Sequence, residues 1–258
     1  MDIRILVATH KPSKMPDDSV YLPIHVGKER YPEMDLGFMG DNTGENISSY
    51  NAAFNELTAI FWAWKNLSAD CIGLAHYRRH FCVRKAGEKW NCVLSGAEAR
   101  ALLQDVDIIV PNKRRYYIET IESHHRNLPY TVDSDLDCMR RVIHERHPQY
   151  ATAFEMVMKR RWAHMFNMFI MTRELFDDYC QFLFDVVLEV NARIDMRGRK
   201  PIEARLYISE FLLDTWLETR RYSYKEVPVK HMEKQNMLKK CSLLILRKAG
   251  LSGEVKAA

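Results

Sequence analysis

Four short apolar runs constrain this chain more than any other feature. Ile3 to Ala8, Ile72 to Ala75, DVDIIVP at 105 to 111 and HMFNMFIM at 164 to 171 are bounded by polar or turn-forming residues, and each is too short to bury a helix. Continuous apolar runs of this length read as strands covered on both faces. The stretches between them carry a 3.6-residue period. ISSYNAAFNELTAIFWAWKNL begins a helix near Ser48 and sets Phe54, Leu57, Ile60, Phe61 and Trp64 on one face. SGAEARALL at 95 to 103 opens with the capping-box pair Ser95 and Glu98. Asp133 caps a helix to about His147, Pro148 breaks it, and another covers Ala151 to Trp162. Thr172 caps a long helix, Glu174 to Ile194, whose stripe is Leu175, Phe176, Tyr179, Phe182, Leu183, Val186 and Val190. Strands alternating with helices predict an α/β sheet with parallel neighbours.

At 258 residues the chain can bury a large core, and with 28% charged and 47% hydrophobic residues it has the ordinary composition of a folded globular protein of enzyme size. A net charge of +4 is too small to argue for general nucleic-acid binding. The runs KRR at 113 to 115 and 159 to 161, and RGRK at 197 to 200, read as solvated faces. Six cysteines show neither CxxC pairing nor metal spacing, which fits a reducing cytoplasm. The first apolar run has neither the length nor the flanks of a signal peptide, and no segment approaches the ~20 apolar residues of a membrane span.

Dinucleotide, P-loop, serine-hydrolase and zincin motifs are missing. What stands out is polar chemistry at strand ends. Thr9, His10 and Lys11 follow the first run; Asp41, Asn42, Thr43, Glu45 and Asn46 precede the aromatic helix; His76, Tyr77, Arg78, Arg79 and His80 follow the second run; His164 and Asn167 bracket the last. Ligands of open α/β sheets sit outside the carboxyl ends of the strands. Lysine and arginine there suit a phosphate pair, and Asp and Asn suit hydroxyls, which together are what a nucleotide sugar requires. Plainer readings stand beside this one. GDNTGEN has the composition of a turn, HYRRHF of a salt-bridge cluster, and His124 and His125 read as solvated loop histidines.

The segments DNTGENISSYNAAFNELTAIFWAWKN, IGLAHYRRHF, FNMFIMTRELFDDYCQFLFDVVLEV and ISEFLLDTW, in this order, resemble a family found in bacterial capsular and exopolysaccharide gene clusters. That family was long described as a domain of unknown function and is now regarded as glycosyltransferases. The resemblance spans roughly residues 3 to 235 and implies a GT-A type fold: one Rossmann-like, mostly parallel sheet flanked by helices, with residues 236 to 258 as a helical, basic C-terminal appendage. It implies sugar transfer from a nucleoside diphosphate donor, UDP-linked, to a glycan or lipid-linked acceptor. By this likeness Thr9, His10, Lys11, Asp41, Asn42, Asn46, Tyr77, Arg78 and Arg79 bind the nucleotide sugar, His164 and Asn167 contact sugar hydroxyls, and Glu210 and His76 are catalytic. Glycogenin-like relatives hold manganese with an Asp-x-Asp after the second key strand. Here His76, Tyr77 and Arg78 occupy that place, so no metal residue is assigned and dependence on manganese or magnesium is in doubt. Asp133 and Asp135 spell the motif, but at a helix start. A non-catalytic nucleotide- or RNA-binding protein and a scaffold of a polysaccharide-assembly complex are the alternatives. Lys230 to Lys248 interleaves apolar and basic residues, as an inner-membrane interfacial helix or a core-covering helix would.

Overall fold

The computed structural model describes residues 1–83 and 89–233. The elements in chain order are β1 (Ile3–Thr9), β2 (Tyr21–His25), β3 (Met39–Gly40), α1 (Asn51–Phe54), α2 (Leu57–Asn66), β4 (Cys71–His76), β5 (Arg79–Phe81), α3 (Gly96–Leu102), β6 (Ile108–Pro111), β7 (Arg114–Arg115), α4 (Ile121–Arg126), α5 (Asp133–Arg146), α6 (Pro148–Lys159), β8 (Trp162–Ala163), β9 (Phe169–Thr172), α7 (Arg173–Arg193), α8 (Leu212–Arg220), β10 (Lys225–Val227) and β11 (Val229–His231). The main sheet runs β10-β6-β9-β4-β1-β2-β3, with β5 and β11 attached beside β4.

Each central strand sends alternate residues into different cores. Leu6, Ala8, Ile72, Leu74, Phe169 and Met171 join the larger core with α2, α5, α6, α7 and α8. Ile3, Ile5, Val7, Cys71, Ala75 and Ile170 join the smaller one on the opposite face, with Ala99 of α3. Burial on both faces explains why these strands read as unbroken apolar runs. Between β4 and β9 the backbones come close at Gly73, where an added Cβ would meet the Phe169 carbonyl oxygen at 2.8 Å.

The sheet is mostly parallel, and β9 departs from the expected direction by pairing antiparallel with both β4 and β6. The connection explains this. After β6 the chain leaves the sheet through β7, α4, α5 and α6, and β8 then pairs back onto β7, Arg115 opposite Trp162. The excursion therefore closes at the edge where β6 ended, and β9 must run back across the sheet. His164 to Asn167, which precede β9, thus meet the carboxyl end of β4.

The capping box at Ser95 and Glu98 is present, and α7 buries Phe176, Tyr179, Phe182, Leu183, Val186 and Val190 as its period predicts. Several helix expectations need correction: Asp133 is the first residue of α5, whose N-cap is Val132, and Thr172 makes no side-chain capping bond to α7. Pro148 starts α6 instead of only ending its predecessor, because the first helical position needs no amide donor. The helix expected from Ser48 breaks at Asn55, whose φ of 48° and ψ of −122° are not helical. Asn51 Nδ2 and Thr58 Oγ1 donate to the freed Asn55 carbonyl at 2.7 and 3.0 Å, so the break costs few unsatisfied groups. Cys71, Cys82, Cys92, Cys138 and Cys180 are free and buried. Lys230 and His231, at the start of the segment expected as an interfacial helix, lie instead in β11 paired with β5; the rest of that segment from residue 234, and the appendage at 236 to 258, lie outside the described residues. Among the described residues no helix is long and apolar enough to cross a membrane.

Candidate active site

A cavity of about 570 Å3 opens at the carboxyl end of β4. The walls come from four places: the α1–α2 break, the residues after β4, the β7–α4 segment, and the segment from Arg205 to Phe211 that leads into α8. Register explains the first convergence. Ala8 lies opposite His76, so the residues after β1 and β4 are neighbours. His10 meets the Tyr77 ring edge-on at 5.4 Å, and Lys11 lies 4.9 Å from the same ring while pairing with Glu233 at 2.9 Å. His10, Lys11 and Tyr77 are not among the residues lining the cavity; Arg78 and Arg79 continue from there into it.

The floor is a strained turn. Phe166 and Asn167 have φ of 81° and 52°, both left-handed and both non-glycine, a conformation that persists only when surroundings enforce it. His76 Nε2 donates to the Phe166 carbonyl at 2.7 Å, because a carbonyl can only accept. The Phe166 backbone amide favours the ionised form of Glu210. Asn167 is buried and donates through Nδ2 to Glu56 Oε1 at 2.8 Å, while its Oδ1 has no partner. The Arg79 guanidinium lies 4.3 Å from the Phe166 ring centre, and its Nε is also without a partner.

Charge is distributed unevenly around this turn. Arg78, Arg79, Arg114 and Arg205 all line the cavity, yet among the described residues none has a carboxylate within ion-pair distance. Arginines on the helical faces are instead paired, as Arg126, Arg140 and Arg193 are. Desolvation pushes Glu210 up to about 7; Glu56 reinforces the rise, and Arg79 and Arg114 oppose it. Desolvation also holds His76 below the usual histidine range, with Arg79 and Arg78 adding to the effect against Glu56. The same cavity therefore holds free guanidiniums, a neutral histidine and a carboxyl that changes charge near neutrality.

The remaining expected residues fall elsewhere. Asp41 is fully buried and accepts from the amides of Gly27 and Lys28 at 2.8 and 3.1 Å and from Ser48 Oγ at 2.5 Å. Asn46 Oδ1 caps the Ser48 amide at 3.1 Å, and Asn42 reaches Glu29 at 3.5 Å. GDNTGEN is thus a braced turn off the cavity, and its composition says as much. Thr9 is buried and donates to the Lys11 carbonyl at 2.7 Å. His164 is buried against Asp214, 2.5 Å from Nδ1, and does not line the cavity.

Other residues at the site lay outside the sequence expectations. Glu56, Arg114, Tyr116, Arg205 and Tyr207 line the cavity. Glu56 is the acidic residue in an otherwise neutral NAAFNELTAIF, which was the available signal; Arg114 sat in a run that read as a solvated face. His125 is buried in the wall instead of solvated, its Nε2 has no partner, and desolvation lowers it to about 4. His124 pairs with Glu119 at 2.7 Å. Arg199, from the RGRK run read as a solvated face, makes a buried bidentate pair with Asp135 at 2.6 and 2.8 Å.

That pair bears on a metal. Asp135 is committed to Arg199, and Asp133 faces Arg126 at 3.8 Å. After β4, where the distant relatives place carboxylates, the side chains are imidazole, phenol and guanidinium. Among the described residues no three His, Cys, Asp or Glu groups gather to hold a cation. Imidazole, phenol and guanidinium side chains after β4 do not fit a divalent ion at that place.

A family model described as a domain of unknown function, DUF4422, matches residues 4–221. The chain belongs to the DUF4422 family. It is also similar to an apo structure of the WbbM bifunctional glycosyltransferase, with 25% identity and a TM-score of 0.84 over 91% of this chain. The match covers 46% of that neighbour, so this DUF4422 chain spans about half its length. The α/β fold is accordingly of the GT-A type found in glycosyltransferases. A comparison with curated proteins gives no match.

Proposed function

We propose that this chain is a glycosyltransferase that moves a sugar from a nucleoside diphosphate donor, UDP-linked, to a glycan or lipid-linked acceptor of a bacterial polysaccharide. The observation that carries the reading is the pairing, in one cavity, of Arg78 and Arg79 at the carboxyl end of β4, which among the described residues have no carboxylate partner, with Glu210, whose carboxyl is pushed up to about 7. Fold and family membership support it.

The chemistry distributes simply. An acceptor hydroxyl oxygen forms a bond to the anomeric carbon as the bond from that carbon to the diphosphate oxygen breaks, its electron pair leaving with the diphosphate. Arg78 and Arg79 stabilise that charge, as preorganised cations in a partly desolvated site do. Ionised Glu210 takes the acceptor proton, and a pKa near the working pH suits a general base. Asn167, through its free Oδ1, receives a sugar hydroxyl. His76 touches neither reactant; it positions the Phe166–Asn167 turn. Tyr116, Tyr130 and Tyr207, with the buried His125, form a wall of rings and hydrogen-bonding groups suited to an acceptor sugar.

The test is a screen for diphosphate release from UDP-, GDP- and dTDP-linked sugars. Release of UDP from at least one donor, lost in Glu210→Gln, is the expected result. No turnover with any nucleotide sugar, together with binding of a short RNA, would move the assignment to the non-catalytic class.

A further inference from the structure

The loop between β7 and α4 exposes two adjacent large apolar side chains, Tyr117 at 77% and Ile118 at 64%. No other large hydrophobic residue among the described ones is as exposed. The tip is a built feature. Tyr117 holds a left-handed φ of 58°, and the Ile118 amide donates to the Tyr116 carbonyl at 2.7 Å. Arg161 Nη1 donates to the Tyr117 carbonyl at 3.2 Å, and the Tyr116 amide donates to the Arg161 carbonyl at 2.8 Å. These backbone bonds hold the tip in its left-handed conformation with both side chains exposed.

Cations surround the tip. Arg114, Arg115 and Arg161 are exposed, and among the described residues none has a carboxylate within ion-pair distance. The nearest acids along the chain are engaged: Glu119 with His124 and Asn127, Glu122 with Arg126 and Arg140. A protruding Tyr–Ile pair in an unneutralised arginine collar is complementary to an anionic lipid surface, where amphipathic rings settle at headgroup depth. Two residues offer far too little area for a protein interface of usual size.

We propose that the Tyr117–Ile118 tip inserts into the headgroup region of an anionic lipid surface, with Arg115 and Arg161 on lipid phosphates. Arg114 and Tyr116 line the cavity, so docking places the cavity mouth against the lipid. Presentation of a lipid-linked acceptor there rests on the transferase reading; the docking itself does not.

The experiment is cosedimentation of the full chain with phosphatidylcholine vesicles, with and without phosphatidylglycerol, at low and physiological salt. The wild type is expected to pellet with the anionic vesicles only. Tyr117→Ser/Ile118→Ser, and separately Arg115→Glu, are expected to cut the bound fraction about fivefold or more, while UDP release from a soluble donor is unchanged in the tip variant. Undiminished pelleting of the tip variant overturns the proposal, as does loss of pelleting in Lys239→Glu/Lys240→Glu alone, which would assign binding to the C-terminal segment. Failure of the wild type to bind anionic vesicles overturns it too. If no nucleotide sugar is turned over yet vesicle binding depends on the tip, the docking stands and the transferase reading falls.

Discussion

Glu210 sits between opposing charges, and that position makes its titration testable. Desolvation, reinforced by Glu56, pushes its carboxyl up to about 7 against the opposing pull of Arg79 and Arg114. A base must be ionised, so turnover should rise with pH through about 7. Glu56→Gln removes the negative neighbour and should move that limb to lower pH, while Arg114→Gln should move it higher, as pH–rate profiles of both variants would reveal. Identical limbs in all three proteins would remove Glu210 from the role of base. Stability gives an independent reading. A carboxyl whose folded pKa is raised from 4.5 contributes most when protonated, and that contribution is lost as pH climbs from about 4.5 to 7. Glu210→Gln should therefore be inactive yet more stable than wild type at pH 8, by about 1 to 2 kcal/mol after allowance for partial exposure, and no more stable at pH 4. Thermal denaturation at the two pH values checks this. At the same scale, replacing either Arg78 or Arg79 by Ala should weaken UDP by roughly 1.5 to 3 kcal/mol, the usual worth of a charge-assisted contact.

Among the elements, the Phe166–Asn167 turn carries the most consequence. Two successive left-handed residues are held by His76 from one side and Glu56 from the other. His76→Gln should lower kcat about tenfold or more with the donor KM little changed, because a misplaced floor costs positioning and not ground-state binding. An unaltered kcat would reduce His76 to a packing residue. This turn also marks the limit of sequence reading. FNMFIM was legible as a strand from its apolar run, and Asn167 as polar chemistry at its start, yet nothing in the letters announced that the strand runs antiparallel. That direction follows from a two-residue ladder between β7 and β8, too short to leave a pattern. Glu56 escaped for a similar reason: the helical period continues through Asn55, and only side-chain caps on its carbonyl reveal the break. The α7 stripe and the Ser95 capping box were readable because local periodicity and local hydrogen bonding determine them.

For the whole molecule, buried histidines set the response to acid. His80 and His125 are held neutral by desolvation, each down to about 4. A depressed folded pKa means that the unfolded chain binds more protons below 6.5, so stability falls as pH drops from about 6.5 toward 4. At pH 5 the loss is on the order of 2 kcal/mol for each. Denaturant midpoints at pH 7 and 5, in wild type and His80→Phe, measure it; an equal drop in both proteins would mean that other groups drive it. The central claim also lives at this scale, since it concerns how strand β4, the α1–α2 break, the excursion and the segment before α8 converge on one cationic cavity in place of a metal. Calorimetric titration of UDP in the presence of EDTA tests it most directly. The account predicts binding that survives chelation and collapses in Arg78→Gln/Arg79→Gln; UDP binding that appears only when manganese or magnesium is restored, and is indifferent to those arginines, would contradict it.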